Sequence, residues 1–152
     1  MDLILIYDTN GVASLKGGSK FKHHIDWLQL LSLQTSSPTW GAHGSEAPLL
    51  RAPGSIVFTI PGTTPVAMVL MNAFLGKSGI DRWRRAIVDR CEDQGDQTWL
   101  FRMTLQRPLV DLFSSSNTMR DETLTSTPIA QVTLSYMQMS VDFRHPERQI
   151  VN

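Results

Sequence analysis

Cysteine is almost absent from this sequence of 152 residues, which contains only Cys91. A single cysteine excludes an internal disulfide framework, so the core must hold the fold, and synthesis and folding in a reducing cytoplasm are expected. No motif that lowers a thiol pKa surrounds Cys91. We therefore interpret it as a small, half-buried strand residue rather than a reactive thiol.

Excess charge of one sign and long apolar runs are also missing. The 14 basic side chains balance the 14 acidic ones, so neither nucleic acid nor an acidic membrane is indicated as an obligatory partner. Residues 1–8 are too short for a signal-peptide core and carry an acid where a cationic region is needed. We expect a strand there, no membrane span elsewhere, and, if the protein leaves the cytoplasm, a route other than general secretion.

Residue types that carry chemistry form no recognisable set. His23 and His24 are adjacent, so in a strand they would point to opposite faces, and His43 and His145 lie far away in sequence. The serines of 114–116 lack the glycine-flanked elbow of a hydrolase nucleophile. No two acids are spaced for acid and base roles. We predict no enzyme activity, no metal and no cofactor.

Two alternating strands with a loop between them, over residues 98–143, organise the chain. The strand predicted over 98–106 has one apolar face, and we expect it to pair antiparallel with a longer strand over 129–143. The apolar residues of that face are Trp99, Phe101, Met103 and Leu105. In the second strand the apolar face changes near Tyr136, which predicts a bulge or a bend.

Two arrangements explain that change of face. The strand either turns a corner between packed sheets or leaves an apolar surface for a neighbouring subunit. The second arrangement predicts Met137, Met139 and Val141 at an interface with a neighbouring subunit.

The other predicted elements suit one mainly β domain over residues 1–152. Strands are predicted at 3–7, 25–34, 55–60 and 82–90, and loops at 16–24 and 114–122. One helix is predicted over 65–75, with Thr64 as N-cap and Gly76 at its end. The residues expected toward the core are Val69, Leu70, Phe74 and either Met71 or Ala73. Residues 35–54, with Trp40 and His43, are too long for a simple connection, which predicts a functional loop or an interaction arm. Trp40 either meets a partner or packs back on its own domain.

Several segments in this order resemble the Hcp family (haemolysin-coregulated protein), the tube subunits of type VI secretion systems. The segments are KGGSK at 16–20, IDxL at 25–28, TP at 64–65, VDLFSS at 110–115, DETL at 121–124, VTLSY at 132–136 and VDF at 141–143. The resemblance implies a small β-barrel of two packed antiparallel sheets with one α-helix on its side. It also implies hexameric rings that stack into a hollow tube, either as the main tube subunit or as a specialised paralogue.

The same resemblance implies partners and positions. The partners are further rings of the same chain, a tip spike protein, a contractile sheath and small effector proteins carried in the lumen. Gln29 and Leu31 would face the lumen, with Leu28 and Leu30 in the core. The arm with Trp40 and His43 would reach an adjacent subunit or ring.

A second hypothesis needs no ring. A monomeric β-barrel could use Trp40, Trp83 and the arginines around residue 84 to bind an anionic ligand or single-stranded nucleic acid.

Overall fold

The structure is a computed structural model, and it describes residues 1–35, 49–51, 54–76, 83–91, 99–120 and 125–143. Its elements are β1 Asp2–Asp8, β2 Ala13–Leu15, β3 Leu28–Gln29, β4 Ser32–Thr35, β5 Leu49–Arg51, β6 Gly54–Pro61, α1 Pro65–Phe74, β7 Trp83–Cys91, β8 Trp99–Gln106, β9 Leu109–Arg120, β10 Thr125–Tyr136 and β11 Gln138–Phe143. The predicted arm residues Trp40 and His43 lie outside the described residues.

Two antiparallel sheets pack face to face, as predicted, but they do not close into a barrel. The seven-stranded sheet has the order β2-β1-β7-β8-β11-β5, with β3 also paired to β1, and the four-stranded sheet has the order β4-β6-β10-β9. Alternate side chains of both sheets form one core between them, including Ile4, Phe58, Met103 and Leu134. The mainly β fold with one helix is therefore confirmed.

The change of face near Tyr136 is a corner between the sheets. Tyr136 ends β10 in the four-stranded sheet, and the N–H of Met137 donates to the carbonyl of Gln106, which ends β8. The chain then continues as β11 beside β8 in the seven-stranded sheet. The predicted pairing with residues 98–106 is therefore right for β11, whereas β10 pairs with β6 and β9.

This corner corrects two predicted interface residues. Met139 and Val141 are each 1% exposed and lie in the core between the sheets, because the corner returns the apolar face of β11 to the inside. A side chain covered by its own subunit cannot face a neighbour, so the prediction of a ring interface was wrong for these two. Met137, at the corner itself, is exposed.

The predicted strand over 25–34 is divided between the two sheets. The N–H of Leu30 donates to Asp2 in β1, whereas the N–H of Leu31 donates to Thr59 in β6. β3 therefore belongs to one sheet and β4 to the other. Leu28 and Leu30 are buried, as predicted.

Residues 16–27 cover the outer face of the seven-stranded sheet rather than forming a solvated connection. Trp27 packs with Leu3, Leu5 and Cys91 in a second apolar cluster on that face. Backbone hydrogen bonds hold the segment, among them Gly17 N–H to the carbonyl of Asp26 and Ser19 N–H to that of Trp27. The seven-stranded sheet is thus covered on both faces along β1 and β7.

The loop predicted at 114–122 is wrong for residues 114–120, which belong to strand β9. β9 continues to Arg120 and forms a long hairpin with β10, in which Ser114 faces Gln131 and Ser115 faces Ala130. The serine-rich sequence suggested a loop, but the pairing of β9 with β10 outweighs the low strand propensity of these residues.

The helix has the predicted ends but a different buried face. Thr64 accepts a hydrogen bond from the N–H of Ala67, and Gly76 adopts a φ of 75° just beyond the C-cap, Leu75. The residues turned inward are Val66, Ala67, Leu70 and Ala73. Leu70 and the alternative Ala73 were thus expected correctly in the core, whereas Val69 and Phe74 are each 39% exposed.

A close backbone approach makes Gly17 a stringent test of the covering segment. A Cβ at Gly17 would overlap the backbone of Trp27 and Leu28, whereas a Cβ at Gly18 would meet nothing within 4 Å. We expect Gly17→Ala to lower the free energy of unfolding by about 1–3 kcal/mol through overpacking. Gly18→Ala should be neutral or stabilising by up to about 1 kcal/mol. Urea unfolding followed by circular dichroism measures both, and equal effects would contradict the packing.

The corner gives a second matched pair. Met139→Ala should lower the free energy of unfolding by about 2–5 kcal/mol because it leaves a cavity in the core. Met137→Ala, at a position that is 63% exposed, should change it by less than about 0.5 kcal/mol. Thermal unfolding of dilute protein, where any assembly is minimal, compares the two. A larger effect at Met137 than at Met139 would contradict this description of the corner.

Candidate assembly surface and a buried polar cluster

Among the paired positions whose side chains the structure describes, the outer face of the four-stranded sheet carries no charged group apart from the exposed Asp111 beside the register shift in β9. Alternation along β4, β6, β9 and β10 turns their apolar residues to the core and leaves mainly hydroxyl, amide and small apolar groups outside. We call this the neutral face: Ser32, Gln34, Ser55, Val57, Thr59, Leu109, Leu112, Ser114, Gln131, Thr133 and Ser135.

Strand register places these residues in rows across the sheet. Ser32 faces Thr59, Thr59 faces Gln131, and Gln131 faces Ser114. The hydroxyls of Ser32 and Thr59 are 2.6 Å apart and hydrogen-bonded. A second row joins Gln34, Val57, Thr133 and Leu112. Asp111 is omitted from the rows because the β9–β10 register shifts beside it.

Both edges of this sheet lack a strand neighbour within the described part of the chain. β4 pairs only with β6, and β9 pairs only with β10. An unpaired strand edge presents backbone donors and acceptors to any further strand. On β9 the edge also carries the exposed side chains of Leu109 and Leu112.

A polar cluster lies under the covering segment, on the other sheet. Nε2 of His24 is 2.8 Å from Oδ2 of Asp89, and Arg102 donates to both oxygens of the same carboxylate, at 2.6 and 2.8 Å. Both His24 and Asp89 are buried. The hydrogen bond to Asp89 raises the pKa of Arg102 further above its ordinary value. The cluster ties residues 16–27 to β7 and β8.

Cys91 completes the cluster, but the geometry excludes a catalytic pair. Its sulfur is 3.7 Å from the same Nε2 of His24 that binds Asp89. A carboxylate that already accepts from Arg102 can only accept, so Nε2 carries the proton and has no lone pair for the thiol. A histidine base must instead use one nitrogen for the nucleophile and the other for the acid.

Burial of Cys91 points the same way. Burial, and then the negative charge of Asp89, raise the pKa of its thiol to about 11. Nucleophilic cysteines have a lowered pKa. The sequence interpretation of Cys91 as a small strand residue rather than a reactive thiol agrees with this environment, although Cys91 is buried and not half-buried.

The sequence-predicted site residues have mixed outcomes. Gln29 and Leu31 are both exposed, but Gln29 belongs to the seven-stranded sheet and Leu31 lies next to β4 of the other sheet. Their lumen position therefore stays a prediction, as does Met137 at an interface. The neutral face was missed, although the alternation in β6 and β10 signals it, because sequence does not show which strands are neighbours.

The hypothesis of a monomeric binding module relies on two tryptophans, and the one that the structure describes is buried. Trp83 is 5% exposed and cannot stack on a base. The guanidinium of Arg85 lies 4.9 Å from the ring centre of Tyr7, and Arg90 pairs with Asp2. Two of the basic side chains of β7 thus already have partners within the chain.

The described residues form neither a metal site nor a membrane-spanning helix. They contain no group of three or more His, Cys, Asp or Glu residues placed to hold a metal ion. The helix they include is not long and apolar enough to cross a membrane.

Comparison with known proteins gives similarity at the level of structure. No family model and no curated protein sequence matches the chain. Hcp1 from Salmonella typhimurium is similar at 14% identity and a TM-score of 0.65, over 95% of this chain and 87% of that chain. The fold is Hcp-like.

Two further structures carry the same fold. A type VI secretion system effector from Yersinia pestis is similar at 12% identity and a TM-score of 0.64, over 94% of this chain and 89% of that chain. The cap that terminates the tube of the anti-feeding prophage is similar at 6% identity and a TM-score of 0.56, over 94% and 88%. The sequence resemblance to Hcp proteins is therefore confirmed for the fold.

The raised pKa of the Cys91 thiol predicts how the stability of the protein changes with pH. Between its ordinary pKa of 9.0 and the folded value of about 11, the unfolded chain ionises the thiol while the folded chain keeps it protonated. The contribution of Cys91 to stability is thus complete below the lower pKa and declines as pH rises toward the upper one. The stability gap between the native sequence and Cys91→Ala should narrow from about pH 8 to about pH 10.5.

Urea unfolding at the two pH values measures that gap, and Val88→Ala is the control. Val88 is a buried neighbour on β7 with no proton to lose, so its gap should stay constant. A Cys91→Ala gap that also stays constant would contradict the shift.

Proposed function

We propose that this protein is a structural tube subunit of a type VI secretion system, forming hexameric rings that stack into a hollow tube for effector delivery. The neutral face, bounded by two free sheet edges within an Hcp-like fold, is the observation that carries the proposal. It supports assembly and passage rather than catalysis, because it offers neither a nucleophile nor a charged group.

The free edges support a ring. β4 and β9 are opposite edges of one sheet, so the β9 edge of one copy can lie beside the β4 edge of the next. Such a head-to-tail contact uses two different surfaces of each subunit and closes when the rotation between copies divides a full turn. Met137 follows Ser135, the partner of Leu109 at the start of β9, and is proposed to contribute to this contact.

The neutral face supports a lumen. In a ring joined edge to edge, the outer faces of the four-stranded sheets form one continuous wall. Hydroxyl and amide groups make adaptable hydrogen bonds, and the absence of charge avoids strong retention of a cargo of either sign. We infer that small effector proteins pass along this wall, with Leu31 beside it and Gln29 at its margin.

The remaining partners follow from the similarity in fold. We infer that rings stack on further rings, with the arm that carries Trp40 and His43 reaching an adjacent subunit or ring. A tip spike protein and a contractile sheath would be the other partners, and export from the cytoplasm would follow the type VI route. The similar structures named as type VI secretion proteins and as a tube cap support this placement.

Assembly can be tested at Leu112, a residue of the neutral face on the β9 edge that is 61% exposed. The native protein should sediment as a multiple of its subunit and show rings by negative-stain microscopy. Leu112→Lys should shift the mass to the monomer, because a lysine would be buried at the joint. Its thermal stability as a monomer should be unchanged because the side chain is exposed.

Val12→Lys is the matched control. Val12 is 60% exposed in the β1–β2 turn, which belongs to the seven-stranded sheet, so rings should persist. A native protein that remains a monomer at high concentration would overturn the proposal.

A further inference from the structure

The helix α1 carries an apolar surface on its outward side. Its ten residues include no charged side chain, and its inward face is filled by Val66, Ala67, Leu70 and Ala73. The side chains exposed outward, with the C-cap, are Met68, Val69, Phe74 and Leu75. A helix at a solvated surface normally places charged residues on that side.

The helix that carries this surface is a neighbour of an edge strand of the four-stranded sheet. α1 packs against β9, the edge strand, and β9 itself exposes Leu109 and Leu112. Six exposed large apolar side chains thus lie on two elements in contact. Clustered apolar surface of this kind marks an interaction site more often than scattered residues do.

The chemistry of this surface limits the kinds of partner that could bind to it. An interfacial membrane helix carries lysine or arginine on its polar side, and α1 has neither. An occupant that also pairs with β9 must bring a strand edge with apolar side chains beside it. A second copy of this chain has both, since β4 is a free edge and the neighbouring Leu31 is 57% exposed.

We propose that the outward face of α1 is the seat for the β4 side of the next copy, so that helix and edge strand together form one half of the subunit joint. This inference rests on the proposed ring and names the surface that would make the contact between its subunits specific. Backbone pairing at the edge is tolerant of sequence, whereas the apolar seat on α1 fixes which chain can enter and at what distance.

The first experiment places a charge on the seat. Met68→Glu alters a side chain that is 56% exposed in the first half of α1, where a carboxylate is compatible with the helix dipole, so the monomer should fold normally. The subunit concentration needed for half assembly, measured by sedimentation velocity, should rise at least about tenfold. Val12→Glu, equally exposed, should leave it unchanged.

The second experiment reports the occupant. In a Cys91→Ala background, Met68→Cys and Leu31→Cys are prepared as separate proteins, mixed and treated with a short bis-maleimide. A cross-link between the two different variants is expected. A cross-link formed by Met68→Cys alone would indicate a symmetric contact and overturn the proposal.

The proposed ring and the proposed role of α1 can be disproved separately. If the native chain does not assemble, the proposed function fails. If it assembles and Met68→Glu assembles equally well, or if no cross-link joins positions 68 and 31, only the role of α1 fails.

Discussion

Residues 16–27 lying across the outer face of the seven-stranded sheet are the constraint on which the rest of the architecture depends. Trp27, with the cluster of His24, Asp89 and Arg102, ties this segment to β7 and β8. Along β1 and β7 the seven-stranded sheet is therefore covered on both faces and leaves no surface for partners there. Within the described residues no such segment lies across the neutral face of the four-stranded sheet, which is why the proposed assembly is placed there.

Periodicity predicted most elements because each strand is read from its own residues. The helix caps at Thr64 and Gly76 depend on local chemistry, so they were found. The corner at Met137 was also signalled by the change of face. Its meaning was not, because a neighbouring sheet and a neighbouring subunit bury the same kind of residue.

The features that sequence did not predict depend on contacts between distant residues. His24 and Asp89 are far apart in the chain, and neither gives a sign of the other. The close approach of Gly17 to Leu28 requires the path of the whole covering segment. The buried side of α1 was misplaced by part of a turn, since an uncharged helix has no polar face to set its orientation.

The neutral face has a consequence for how any contact on it responds to solution conditions. Dissolved ions screen interactions between charges, and they act weakly on contacts made by hydroxyl, amide and aliphatic groups. Whatever meets Thr59, Gln131 and their neighbours should therefore be held equally well in dilute and in concentrated salt. A wall of this composition would work alike inside a cell and in the medium beyond it.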